Sequence, residues 1–162
     1  MDKDIPDLIE DLKNDDEFVQ EEACGMLEMR ADESFKPLVE ALQSKKSHKK
    51  IKIYSARILG AIGSDEAIDP LIATLRDNNK LVRREASTAL TRIGDNAVDP
   101  LLSILNDEDW RVRGAAAWAL GSIGNKKAIE PLNNLLDDEN GFVKTGAKWA
   151  LDKINKVNIN RS

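Results

Sequence analysis

A chain of 162 residues, 41% of them hydrophobic, hides roughly 70% of the surface its unfolded form exposes, so one continuous core is sustainable without staples. A single cysteine, Cys24, rules out an intrachain disulfide; set in an apolar helical stretch, it reads as a small buried hydrophobe rather than a reactive or ligating thiol. The formal charge of -5 conceals an asymmetry, because residues 1–34 hold thirteen carboxylates against three basic side chains, a net of -10, which leaves +5 on the remainder. The first residues, Met-Asp-Lys-Asp-Ile-Pro, form neither a basic n-region nor an apolar h-region, and no stretch approaches the ~18 apolar residues of a membrane span. A reducing, cytoplasmic setting with no membrane partner is the expectation.

In chain order the organising feature is a repeat. Pro6, Pro37, Pro70, Pro100 and Pro131 are separated by 31, 33, 30 and 31 residues. Four of the five are framed by apolar residues at the i, i+3, i+4, i+7 spacing of one helix face, as in Ile68, Leu71, Ile72 and Leu75, and the fifth keeps most of it. Five units follow, at approximately 1–34, 35–67, 68–97, 98–128 and 129–155, with a polar tail at 156–162. The fourth unit shows the pattern best. A first helix carries Pro100 in its opening turn and runs to about Asn106. Asp107 to Asp109 break the chain and offer acceptors to the free amides of a second helix. That helix buries Val112, Ala116, Ala119, Leu120 and Ile123 and stops at Gly124. No alternating strand pattern competes, so an all-α solenoid, in which each unit buries its apolar face against its neighbours, is predicted.

The run Ala-Ile-Asp-Pro-Leu-Ile-x-x-Leu-x-Asp, then Val-Arg, then Ala-x-x-Ala-Leu-x-x-Ile-Gly, resembles the short HEAT-like repeat of phycobilisome lyases and is similar to the units of designed artificial HEAT-like solenoids. The resemblance covers nearly the whole chain. It implies a right-handed superhelix of about five helix-turn-helix repeats, with second helices lining a concave face. It is unspecific for activity, because the family includes bilin lyases, metal-dependent hydroxylases, DNA glycosylase relatives and binding scaffolds. Unit one departs in having Ala31 where later units have glycine, unit two carries a two-residue insertion, and unit five lacks its terminal glycine.

On the second helices, the column six residues after the valine position reads Gly25, Arg57, Thr88, Trp118 and Trp149. Two adjacent units thus place tryptophan at one spot, beside small Gly114, Ala115, Thr145 and Gly146. Phe18, Leu81, Arg111 and Phe142 precede the valine column, and Trp110 adds to the rim. Trp110, Arg111, Trp118, Phe142, Trp149 and Leu81 are therefore the candidate protein-binding residues, with a partner segment inserted between Trp118 and Trp149. The bland alternative is that Trp149 seals the last repeat and Trp118 packs on it.

A second candidate is the basic insert of Lys45, Lys46, Lys49, Lys50 and Lys52, which with Arg57, Lys80, Arg84 and Arg92 suits phosphates; a hydrated loop is the competing explanation. A third column, Asp15, Asp77, Asp107 and Asp137 with Arg83, Arg113 and Lys144, reads as repeated structural ion pairs. Chemistry is otherwise absent. One histidine, His48, cannot supply the His-Glu sets the hydroxylases require nor a zinc cage, and neither a phosphate loop nor a nucleophile elbow occurs. Trp110, Trp118 and Trp149 with Asp109 and Arg111 bear only a faint likeness to the glycosylase arrangement.

The reading is a non-enzymatic protein-interaction scaffold without cofactor or metal, binding a protein or peptide on its concave face. The alternatives are a nucleic-acid module using the basic insert and, second, a bilin-lyase-like or chaperone role for a tetrapyrrole protein. The chain is expected as a monomer or as a homodimer through the C-terminal repeat.

Overall fold

The computed structural model describes residues 3–160, and in them the five-proline periodicity becomes five helix pairs. The pairs are α1 (Ile5–Asp11) with α2 (Glu17–Met29), α3 (Ala31–Gln43) with α4 (Lys49–Ile62), α5 (Ile68–Thr74) with α6 (Lys80–Ile93), α7 (Val98–Leu102) with α8 (Trp110–Ile123), and α9 (Ile129–Asn134) with α10 (Gly141–Ile159). First helices pack on first helices (α1 on α3, α3 on α5, α5 on α7) and second on second (α2 on α4, α4 on α6, α6 on α8, α8 on α10), giving two layers with the core between them. Leu8, Leu38, Leu71, Leu101 and Leu132 from one layer and Leu27, Leu59, Leu90 and Leu120 from the other are fully buried there. The result is an all-α solenoid of HEAT-like repeats.

One capping device starts every second helix. Asp16, His48, Asn79, Asp109 and Asn140 each accept, through a side-chain atom, the amide two residues on, satisfying one of the orphan donors of a helix start. One device also ends the middle repeats: Gly63, Gly94 and Gly124 have φ of 71°, 85° and 80°, a region closed to most side chains. At the same position the end repeats carry Ala31 and Asn155, and there the chain departs from expectation. Only Arg30 separates α2 from α3, so the second repeat's helix begins at Ala31 rather than 35, and Pro37 lies inside it instead of in its opening turn. Ser34 Oγ donates to the Leu27 carbonyl across this corner at 2.7 Å. At the other end α10 continues to Ile159, so the expected polar tail from 156 is helical as far as it is described. Its Val157 lies against the Gly124 turn; residues 161 and 162 fall outside the described residues. The first helix of the fourth repeat is shorter than expected, ending at Leu102, with turns carrying the chain to Asn106.

The acid-base column is structural, with two members corrected. Counted back two residues from the second-helix caps, the equivalents of Asp77 and Asp107 are Asn14 and Asp138, not Asp15 and Asp137. All four accept the amide two residues on. The three aspartates also receive a cation from the preceding repeat: Lys52 to Asp77 at 2.8 Å, Arg76 to Asp107 through a two-bond fork, and Arg113 to Asp138 at 2.8 and 2.9 Å. Arg83 and Arg113 additionally donate to the carbonyls of their own loops, Asp77 and Asn78, and Asp107 and Glu108. The slip in the fifth unit arises because its first helix buries Leu135 and leaves Leu136 exposed.

These pairs hold the carboxylates below their ordinary range. For Asp138 and Asp107 the leading cause is the hydrogen bond from Arg113 and Arg76 respectively. At Asp77 burial acts upward but is outweighed by bonds from Lys52 and the Asn79 amide. A depressed folded pKa contributes stability that is present above the unfolded value and lost as the pH falls through the folded one.

The second layer is packed through small residues. A methyl group at Gly121 would sit 2.5 Å from Ala150 Cα, and one at Gly60 would sit 2.7 Å from Ala89 Cα. Ser55 occupies the core column otherwise filled by Ala23, Ala86, Ala116 and Ala147, and its buried Oγ has no hydrogen-bond partner.

Three stability measurements follow from this packing, all by urea denaturation. Ser55→Ala raises stability by about 1 kcal/mol, since it removes an unsatisfied buried hydroxyl and improves helix propensity; an unchanged or lowered midpoint contradicts the assignment. Gly121→Ala lowers stability by about 1–3 kcal/mol, because overpacking against backbone outweighs the roughly 1 kcal/mol that alanine gains in a free helix. Asp138→Ala costs about 2 kcal/mol, somewhat less than a fully orphaned buried charge because Arg113 keeps its loop carbonyls. The wild-type protein loses stability below about pH 4, and this variant loses less of it there.

Candidate functional site

The free face of the second-helix layer carries the aromatic residues. Trp118 on α8 and Trp149 on α10 stack with ring centroids 6.0 Å apart and planes 3° from parallel. Trp110 and Phe142, one near the start of each of the same helices, stack at 5.8 Å and 24°. Residues eight apart on a helix are separated by about 12 Å along the axis, so Trp110 and Trp118 stand about two turns apart, with their partners alongside. Between the two stacks lie Gly114 and Gly146, where an added methyl group would touch nothing within 4 Å. The result is a short trough with aromatic walls at both ends and a floor of backbone.

Exposure separates the four rings. Phe142 is 78% exposed, Trp110 43% and Trp118 38%, whereas Trp149 is half-buried against the core and has Lys153 Nζ 5.7 Å from its ring centre. Trp149 thus packs on the last repeat with Trp118 stacked on it, while Trp110, Trp118 and Phe142 keep exposed ring surface. The expected insertion of a partner between Trp118 and Trp149 is corrected, because rings in contact leave no slot; an occupant lies across the stacks or in the trough. Arg111 is half-buried and forked onto Asp109, its Nη2 2.7 Å from Oδ2. The hydrogen bond from Arg111 pulls the Asp109 carboxyl down to about 2, so the pair stays charged and fixes the rim beside Trp110. Leu81, at the Arg111 position of the preceding repeat, is exposed but joins neither stack.

The basic insert is dispersed and partly engaged. Lys45 and Lys46 lie in the α3–α4 turn, while Lys49, Lys50 and Lys52 form the first turn of α4, so the run is only half a loop. Lys50 pairs with Asp15 at 2.9 Å and Lys52 with Asp77. Arg57 lies 4.8 Å over the Tyr54 ring and 3.9 Å from Glu85. His48 is the helix cap, its Nδ1 accepting the Lys50 amide at 3.2 Å.

Two hollows went unread in the sequence. One, of about 660 Å³, opens at the insertion and is lined by Lys45, Lys52, Thr74, Arg76 and Asp77. The other, of about 490 Å³, lies on the free face between α2 and α4, with Glu17, Glu21 and Glu28 opposite Tyr54 and Arg57. The signal for it was Gly25 in the tryptophan column, an empty position where repeats four and five place large rings. Cys24 lines this hollow and is half-buried rather than fully enclosed; burial pushes its thiol up to about 11, so it is a poor nucleophile at neutral pH.

Among the described residues no helix is long and apolar enough to cross a membrane. The model of HEAT repeats matches residues 35–104 and again 68–152. Of solved structures, the complex of CpcE and CpcF of the phycocyanin lyase from Nostoc sp. PCC7120 contains a chain similar to this one at 25% identity and a TM-score of 0.64, covering 90% of this chain and 96% of that one. An engineered protein is similar at 27% identity and a TM-score of 0.51, over 94% of this chain and 81% of its own. A search of curated proteins found no match. With the family model covering most of the chain and two layers of paired helices stacked at a 30–33-residue period, the protein belongs to the HEAT-repeat family.

Proposed function

We propose that the protein is a non-enzymatic interaction scaffold that binds a protein or peptide segment across the free face of its second-helix layer, over repeats four and five. The observation that carries this reading is the exposure of Trp110, Trp118 and Phe142 in two stacks flanking an open glycine floor. Large rings exposed together on a rigid helical surface lose little entropy on binding and supply the anchors on which interfaces depend. Nothing on this face resembles catalytic machinery, since Asp109 is held ionised by Arg111 and Cys24 is held protonated by burial. The nucleic-acid alternative is weakened by Lys50, Lys52 and Arg57 already having partners.

A second reading rests on the similarity to a chain of the CpcE–CpcF complex. It makes the protein one half of a pair of solenoids serving a tetrapyrrole protein, and visible absorption of the protein purified from its own cells tests it.

The main reading is tested by affinity capture from nuclease-treated lysate at low and moderate salt, comparing wild type with Trp118→Ala/Phe142→Ala. These two exposed rings are chosen because Trp149 also seals the stack. The captured protein is expected at both salt concentrations, and its binding to the variant is weaker by at least 30-fold, the equivalent of about 2 kcal/mol for a good anchor. Equal capture by the variant, with its helical circular dichroism intact, removes the aromatic face as the site.

A further inference from the structure

The charge on the free face changes along the stack in a way that the net charge of -5 does not disclose. Helix α2 carries Glu17, Glu21, Glu22 and Glu28 with no basic residue, whereas α4 carries Lys49, Lys50, Lys52 and Arg57 with no acidic one. In α6, Lys80, Arg84 and Arg92 are exposed while Glu85, the helix's sole acid, is half-buried. Arg84 and Thr88 are one turn apart, and Thr88 holds the position that Trp118 and Trp149 hold in the next two repeats. Basic side chains at the free-face positions of α4 and α6 therefore run directly into the aromatic trough on α8 and α10. Lys153, one turn beyond Trp149, continues them on the far side. The cations at the repeat junctions, Lys52, Arg76 and Arg113, each have a largely enclosed aspartate partner; Arg84 has only a 3.8 Å contact with Glu85, and no ion pair within 4 Å engages Lys80 or Arg92 among the described residues.

Resting on the scaffold reading above, we propose that the occupant of this face is an acidic peptide segment with aromatic or leucine anchors. Its anchors settle in the trough between the Trp110–Phe142 and Trp118–Trp149 stacks, and its carboxylates run over α6 towards Arg84 and Lys80. Charge complementarity selects this class. A basic segment meets like charge on α4 and α6, where Glu85 is already shared by Arg57 and Arg84, and finds a cluster of carboxylates without basic neighbours on its own helix only at α2, far from the aromatic anchors. A nucleobase needs a free ring face for stacking, and Trp149 offers little of one, with Trp118 stacked on it and Lys153 Nζ 5.7 Å from its ring centre. Such a segment approaches under electrostatic steering and is held by the aromatic contacts. Raising the salt therefore slows its association much more than it speeds its release.

The test is selection of a random 16-residue displayed peptide library on the intact protein. Each pool is compared with one selected on Trp118→Ala/Phe142→Ala and one selected on the charge-reversed Arg84→Glu/Lys80→Glu. Both pairs are exposed and lie outside the buried ladder. Peptides enriched by wild type are expected to be rich in Asp and Glu together with Trp, Phe or Leu. A synthetic copy of the most enriched peptide binds the charge-reversed variant at least tenfold more weakly at low salt, with the difference shrinking at high salt. Enrichment of apolar peptides without acidic bias, lost on the aromatic variant, overturns the acidic partner and leaves the scaffold reading standing. Enrichment of basic peptides, tighter binding of a 20-nucleotide oligo-dT, or a dimer in sedimentation velocity that the aromatic variant dissolves also overturns it. No enrichment by wild type over the aromatic variant overturns both readings.

Discussion

The structure depends on how closely the backbones of consecutive second helices approach. Gly121 against Ala150, and Gly60 against Ala89, leave no room for even one extra carbon, and from that contact the rest follows. Close approach aligns the repeats it joins tightly enough that Lys52 and Arg113 each reach the aspartate of the next loop. It brings the ring of Trp118 within stacking distance of Trp149, and Trp110 within stacking distance of Phe142. The aromatic surface is thus a by-product of core geometry: side chains at one repeat position become neighbours when the helices bearing them nearly touch. Burial of small side chains contributes little area per residue, so the leucines of both layers supply most of the apolar burial while the glycines and alanines set its register.

Much of this was legible in the chain itself, since a 30–33-residue period with one apolar frame per proline admits few architectures. The columns carried over well where the period was regular, which is why Trp118 and Trp149 were paired correctly. They failed where it slipped. The sequence pattern points to Asp137 where the structure uses Asp138, because Leu135 and Leu136 both fit an apolar slot and only packing shows which is inside. Asp15 was taken for Asn14 because a column of acids obscured the actual requirement, a side-chain oxygen accepting the amide two residues on, which asparagine meets equally. The basic insert looked like one patch in sequence. On α4, successive residues point in directions about 100° apart, and so Lys50 and Lys52 reach different partners on different neighbours.

The site was legible in its residues but not in its form. A recurring tryptophan position indicates that two rings are near each other; whether they gape or stack depends on a helix separation that no residue type announces. The openness above Gly114 and Gly146 is similarly a property of what is absent around them. The acidic hollow beside Gly25 escaped because it is made by residues of two repeats, Glu17, Glu21 and Glu28 from one and Tyr54 and Arg57 from the next.

The second-helix junctions are not alike. Glycine permits the tight contacts of α4 with α6 and of α8 with α10, but Thr91 stands at that position between α6 and α8. There the layer is bridged by the Ser87 hydroxyl donating to the Ala115 carbonyl at 3.0 Å. Elements joined in series deform first at their most compliant link, and contact made through fewer packed atoms is the more compliant. Mechanically, beyond the more loosely packed first repeat, repeats two and three and repeats four and five form two blocks that are each stiffer than the joint coupling them. That joint falls at the boundary between the basic stretch and the aromatic trough, so the angle between them adjusts to a ligand's length and curvature while each block keeps its own shape.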